Sequence, residues 1–145
     1  MRIAITGGTG SLGSSLIARL AADGADRIVT FSRDEQKRAE LQARFSWHPG
    51  VKVYAGDVRD GERLVDIFAG VECVIHAAAR KRVSGHHDEP REMLLTNVLG
   101  TQNVMAAARA AGVRKLLFIS SDKAVHPQNV YGISKALAEH LVISE

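Results

Sequence analysis

The chain has 145 residues, of which 46% are apolar and 24% charged, with a formal net charge of +3. That mix predicts one globular domain with room for a single core, and excludes a disordered chain, a collagen-like repeat and a disulfide scaffold. Aromatic residues make up only 5%, and the few excess basic residues are spread along the chain, so no nucleic-acid partner is expected.

In chain order, Arg2–Thr6 reads as a short buried strand, and residues 14–22 carry Leu16, Ile17, Leu20 and Ala21 at helical spacing. A second strand covers 28–31 and a charged amphipathic helix 34–45. A third strand follows at 51–54, then a short helix, Gly61–Phe68, with Leu64, Ile67 and Phe68 on one side. Cys73–His76 is a fourth strand. Pro90 precedes a long helix over 92–110, a fifth strand covers 115–120, and a helix runs from Tyr131 through Leu137, Leu141 and Val142. Strand and helix alternate five times. Parallel strands need crossovers, which helices supply, and the nearly all-apolar strands fit burial on both faces. The expected fold is α/β, a doubly wound parallel sheet of about five strands of the Rossmann type, forming one domain over residues 1–145. The least regular stretch is 80–90, with Arg80, Lys81 and Arg82 beside His86 and His87.

The single cysteine, Cys73, allows neither an intrachain disulfide nor a Cys-rich metal site, and is expected in the core. His86 and His87 are adjacent, so their side chains diverge and no metal site is expected. No run approaches the ~18–20 apolar residues of a membrane span. The first strand follows Met1 directly, which leaves no room for a signal peptide, and a cytoplasmic setting is expected.

The first strand ends in Thr6-Gly7-Gly8-Thr9-Gly10-Ser11-Leu12-Gly13, and a helix follows. Glycines permit positive φ and close approach of a phosphate to the backbone. The free N–H groups and positive dipole end of the helix then suit a pyrophosphate. The strand before and the helix after supply the context that makes such a turn a dinucleotide site. At the end of the second strand, a carboxylate would bond the ribose 2′-OH of NAD, whereas an arginine suits a 2′-phosphate. Ser32, Arg33 and Lys37 therefore favour NADP, with Asp34 the counter-signal for NAD. Asp57 follows the third strand, where it would also serve as a helix cap.

After the fifth strand come Ser120-Ser121-Asp122-Lys123-Ala124 and Tyr131-Gly132-Ile133-Ser134-Lys135. Tyr131 and Lys135 are four apart and share a helix face. A neighbouring ammonium favours phenolate over phenol, which makes Tyr131 a base for a substrate hydroxyl, and Ser121 could bond the same oxygen. The adjacent Asp122 and Lys123 offer a proton donor and a proton acceptor, the pair that elimination of water needs.

The Gly-x-x-Gly-x-x-Gly spacing and the Tyr-x-x-x-Lys pair resemble the extended short-chain dehydrogenases and reductases. The run Ser-Ser-Asp-Lys-Ala, Pro127 and Tyr131-Gly-x-Ser-Lys is similar to the polysaccharide-biosynthesis group, specifically the C5-inverting UDP-N-acetylglucosamine 4,6-dehydratases. Further matching stretches are Ser32-Arg33-Asp34-Glu35, Gly56-Asp57-Val58-Arg59-Asp60, His76-Ala77-Ala78-Ala79-Arg80-Lys81 and Thr96-Asn97. The resemblance implies that Asp57 and Val58 meet the adenine, that Ala77, Ala78 and Lys81 lie at the nicotinamide half or the substrate, and that Asn97 kinks its helix through a water and supports Lys135. It implies C4 oxidation with Tyr131 as base, loss of the C5 proton to Lys123, departure of the C6 hydroxyl as water with a proton from Asp122, and hydride return to C6. Family members are about twice this length, so the domain that binds the UDP-sugar substrate is expected to be missing, and a homo-oligomer could cover the open sheet edge. A UDP-sugar 4-epimerase and a non-catalytic NADP-binding module are the alternatives.

Overall fold

The computed structural model describes residues 1–81 and 89–144. The readings placed on Arg82, His86 and His87 lie outside the described residues.

Five parallel strands form one sheet: β1 (Arg2–Thr6), β2 (Arg27–Ser32), β3 (Val51–Ala55), β4 (Cys73–His76) and β5 (Lys115–Phe118). Their order is β3-β2-β1-β4-β5. The chain first steps outward from β1 to β3, then crosses back to β4, so the order reverses between β1 and β4. Register aligns the strand ends: Thr6 lies opposite Phe31 on one side and His76 on the other, and His76 lies opposite Phe118. All the loops that follow these strands therefore open on the same edge, where ligands of such sheets bind.

Alternate strand residues feed two cores, as a period of two requires. Ile3, Ile5 and Ile28 pack under α1 (Ser11–Ala22) and α2 (Glu35–Arg44) with Ile17, Leu41 and Phe45. Ala4, Val29, Phe31 and Val74 pack on the other face against Leu64, Ile67 and Phe68 of α3 (Gly61–Phe68) and Val104 and Ala107 of α5 (Gly100–Ala110). The final helix, α6 (Val130–Ile143), packs beside the helical stretch that precedes α5.

Helix α1 begins at Ser11, three residues before the apolar spacing indicates, because its first turn carries the glycine motif and offers little apolar surface to read. The long helix begins at Pro90 and is not uniform. A single turn, α4 (Pro90–Met93), passes into a π-helical stretch, Leu94–Leu99, before α5. Gly100 sits where this widened stretch meets the loop after β3, and a Cβ there would lie 2.7 Å from Val58 Cγ2. β5 ends at Phe118, level with His76, the last residue of its partner strand. Cys73 is half-buried, at the edge of a core.

The cap of α3 is Asp60, whose carboxylate accepts the Arg63 N–H at 3.0 Å. The capping alternative for Asp57 is thereby corrected: its carboxylate accepts from Arg59 N–H at 3.1 Å, within the turn. Asp60→Ala is expected to lower unfolding stability by about 1 kcal/mol in urea denaturation, the ordinary cost of a lost N-cap.

Candidate functional site

Above the strand ends lies a cleft of about 560 Å³. One wall is the glycine turn. Gly7 has φ +75°, a conformation that favours glycine, and a Cβ on it would lie 2.8 Å from the Ala78 backbone nitrogen. A Cβ on Gly13 would lie 2.3 Å from the Gly7 carbonyl oxygen. Gly10 is the N-cap of α1 and brings no side chain to its first turn, so the early N–H groups are left for a ligand. Gly7, Thr9, Gly10, Ser11, Leu12 and Gly13 all line the cleft.

At one end the cleft is lined by Ser32, Arg33 and Lys37 from β2 and α2, and by Asp57 and Val58 after β3. Asp34 caps α2 through the Lys37 N–H at 3.0 Å and lies 3.8 Å from the Lys37 ammonium. Arg33 pairs with Asp57 at 3.4 Å. The loop carrying Val58 is fixed from behind: Asn103 donates to the Val58 carbonyl at 3.0 Å, and Arg59 reaches Glu92 at 2.6 Å and Thr96 at 2.7 Å. The Arg59 guanidinium holds the Glu92 carboxyl below the usual carboxylate range, mainly through this hydrogen bond. Thr96 itself lines the cleft, a position that only motif likeness had marked.

Toward the other end lie Ala77, Ala78, Ala79 and Lys81, then Ser121, Tyr131 and Lys135. Asn129 caps α6 by accepting the Gly132 N–H at 2.8 Å. Gly132 then packs so tightly under the preceding turn that a Cβ would meet the Lys123 carbonyl oxygen at 2.2 Å. Lys135 is 3% exposed. Its ammonium donates to the Ile119 carbonyl at 2.6 Å and sits 4.0 Å from the centroid of the Phe118 ring. Burial lowers it to about 8, with Glu139 opposing that shift and Lys81 adding to it.

Asp122 and Lys123 do not line the cleft. They occupy a single 3₁₀ turn, Asp122–Ala124, directly after Ser121, and pair with each other at 3.1 Å while both remain largely exposed. The Lys123 hydrogen bond, with help from its charge and from Ser121, holds the Asp122 carboxyl below its usual range. In this exposed pair the carboxylate form of Asp122 is favoured.

Asn97 is buried in the π-helical stretch, where the resemblance implied a kink. Its amide accepts from Arg80 N–H at 2.7 Å and donates to the Arg80 carbonyl at 3.0 Å and to Ser134 Oγ at 2.8 Å. Beneath the cleft, sequence reasoning missed a histidine pair of contacts. His76 is 1% exposed and meets Thr6 Oγ1 at 2.6 Å and Thr101 Oγ1 at 2.9 Å. Its strand looked like simple core, and the two threonines lie 70 and 25 residues away.

Among the described residues no group of three or more His, Cys, Asp and Glu could hold a metal ion, and no helix is long and apolar enough to cross a membrane.

A glycine turn and a Tyr131–Lys135 helix that meet where this strand order reverses place the chain in the extended short-chain dehydrogenase/reductase group. Within that group it belongs to the polysaccharide biosynthesis protein family, whose profile matches residues 3–145. It is similar to the UDP-glucose 4-epimerase of Rickettsia rickettsii (strain Sheila Smith), at 43% identity over 145 residues, covering 97% of this chain and 42% of that protein. Among solved structures, Pen from Bacillus thuringiensis superposes with a TM-score of 0.93 at 37% identity, over 99% of this chain and 44% of that one. The dTDP-glucose 4,6-dehydratase DesIV from Streptomyces venezuelae, solved with NAD and TYD bound, gives 0.89 at 26% identity, over 99% of this chain and 51% of that one. The chain thus spans about half the length of these relatives or less.

Burial lowers the His76 imidazole to about 3, with the Lys135 ammonium adding to the shift. An unfolded histidine takes up its proton near pH ~6.5, so between the two values the unfolded chain binds one proton more. The contribution of His76 to stability is therefore complete above pH ~6.5 and is lost as pH falls, by about 1.4 kcal/mol per unit. Urea denaturation at pH 7.5 and 5 should differ by about 2 kcal/mol from this residue, and His76→Gln should flatten that slope.

Proposed function

We propose that this chain is the dinucleotide-binding part of an enzyme that modifies a nucleotide sugar, with NADP as cofactor and 4,6-dehydration of a UDP-N-acetylhexosamine as the reaction. The observation that carries the reading is that one cleft collects the glycine turn, Ser121, Tyr131 and Lys135.

The residues present fit a dinucleotide. The backbone approaches at Gly7 and Gly13 leave no room for side chains, and the uncapped first turn of α1 offers N–H donors to a pyrophosphate. Arg33 and Lys37, beside the Asp34-capped start of α2, suit a 2′-phosphate at the end lined by Asp57 and Val58. Asp34 is already engaged by Lys37, which weakens its claim on a ribose hydroxyl. Ala77, Ala78 and Lys81 then face the nicotinamide half. When bound, such a cofactor would take a hydride from the sugar C4 and return it at C6.

The chain's own groups handle protons. Tyr131 takes the proton of the C4 hydroxyl, Ser121 bonds the same oxygen, and Lys135 lines the same cleft one helical turn on. Oxidation at C4 acidifies the C5 hydrogen, which a neutral Lys123 amine removes. A protonated Asp122 gives its proton to the departing C6 hydroxyl, which leaves as water; with hydride returned at C6, C5 takes up a proton on the opposite face, which completes the net loss of one water. The ion pair seen between Asp122 and Lys123 holds the same number of protons as that neutral pair. One proton moved across their 3.1 Å contact converts one form to the other. Exposure favours the ions; a water-excluding cover over the pair favours the neutral form.

Epimerisation at C4 is the second reading, because the similar Rickettsia rickettsii protein carries the name UDP-glucose 4-epimerase. Incubation with UDP-N-acetylglucosamine and NADP separates the two by mass: dehydration removes one water, epimerisation none. Asp122→Asn is expected to abolish water loss while C4 oxidation persists; unchanged dehydration would remove Asp122 as the acid. Calorimetry should show tighter binding of NADP than of NAD. Arg33→Ala should weaken NADP roughly tenfold and leave NAD nearly unchanged. Tighter binding of NAD by the unsubstituted chain would overturn the NADP assignment.

A further inference from the structure

His76 does not line the cleft, yet every polar atom of its ring is committed. It stands at the end of β4, next to the point where the strand order reverses. Ring nitrogen Nδ1 faces Thr6 Oγ1 at 2.6 Å and Nε2 faces Thr101 Oγ1 at 2.9 Å. The proton positions follow by elimination. The Thr101 hydroxyl donates its only proton to the Asn97 carbonyl at 2.6 Å, so toward His76 it can only accept. Nε2 therefore carries the ring proton. Thr6 Oγ1 accepts the Ala78 N–H at 3.0 Å and keeps its proton for Nδ1. A charged ring would present a second N–H to Thr6 and displace the Thr6 proton from its acceptor.

The result is a one-way chain of donors from the Ala78 N–H through Thr6, His76 and Thr101 to the Asn97 carbonyl. From Asn97 the side-chain amide clamps both backbone groups of Arg80 and reaches Ser134, whose hydroxyl donates to the Tyr131 carbonyl at 2.7 Å. The cleft wall is thus tied at Ala78 and again at Arg80 to the same π-helical stretch, which is tied in turn to the first turn of α6. The Thr101 hydroxyl reaches into that stretch by bonding the carbonyl four residues back.

We infer that His76 is a positioning residue, locked as the neutral Nε2–H tautomer, that sets the spacing between the Ala77–Ala79 wall and the Tyr131–Lys135 helix for the nicotinamide half of the cofactor. The inference deepens the proposed dinucleotide site and rests on that reading. The ring neither touches the ligand nor moves a proton; it fixes the backbone that does the touching.

Two measurements test it. In the ¹⁵N-labelled unsubstituted chain, imidazole shifts at pH 5.5 and 7.5 should report the Nε2–H tautomer at both values. An Nδ1–H tautomer, or a ring that charges over that range, overturns the inference whatever any variant does. Thr101→Val keeps the shape but removes the acceptor, and calorimetry with NADP and with 2′,5′-ADP reads the two halves of the cleft. NADP affinity should fall roughly tenfold while 2′,5′-ADP affinity changes less than about twofold, and Thr101→Ser should restore the unsubstituted value. Equal loss on both ligands, or no loss, overturns the positioning role. If the unsubstituted chain binds neither ligand, the dinucleotide reading fails by itself, while the tautomer measurement still decides the hydrogen-bond chain.

Discussion

The backbones of Gly7 and Ala78 approach so closely that no side chain fits between them, and most of the site depends on that approach. It occurs because β1 and β4 are parallel neighbours in register, with Thr6 opposite His76. Both chains leave the sheet at one level and diverge there. The glycine turn bends toward α1, and the Ala77–Ala79 stretch crosses to the long helix. A residue with a Cβ at position 7 would push these two walls apart. It would also require an L side chain at φ +75°, so the cleft's width and the glycine are one constraint.

The ionisable groups around the cleft divide by how much water reaches them. Lys135 is buried against a carbonyl and an aromatic face; burial lowers it to about 8, and the Glu139 carboxylate opposes that shift. His76 lies deeper, loses its charge altogether and becomes a hydrogen-bonding spacer. Asp122 and Lys123 are wet, and water lets them keep opposite charges. One short run of chain, from Phe118 to Lys135, therefore spans two of these three environments, and β4 supplies the third.

How much was legible in the sequence follows from the range of the interactions. Strand and helix alternation, the glycine turn and the Tyr131–Lys135 spacing are local, and each appears in the structure where its pattern places it. The start of α1 was misplaced because Ser11, Leu12 and Gly13 answer to the cleft rather than to the core. The π-helical stretch left no trace in the apolar spacing, since one widened turn keeps Met93, Val98 and Val104 buried. The His76 chain was invisible for a different reason. Thr6, His76 and Thr101 are ordinary strand and helix residues, and only the sheet register and the packing of α5 bring them together. The cap of α3 falls on Asp60 rather than Asp57, because both precede the same helix and three residues of turn geometry decide between them.

The hydrogen bonds are unevenly distributed along the cleft, and that asymmetry separates what this chain prepares in advance from what it leaves open. Around Val58 the loop is held by Asn103, and its neighbour Arg59 is held by Glu92 and Thr96, so the backbone there has no free choice. Around Ala78 and Arg80 the wall is held at two points by the Thr101–Asn97 stretch. Ser121, Asp122 and Lys123 instead satisfy one another, through contacts of 3.1 to 3.2 Å between near neighbours in sequence. Gly132 packs against the backbone of this turn, but these side-chain bonds reach no other element. The groups anchored from several elements form a rigid receptor, whereas the Asp122–Lys123 turn is free to exchange its internal bonds for bonds to whatever covers it.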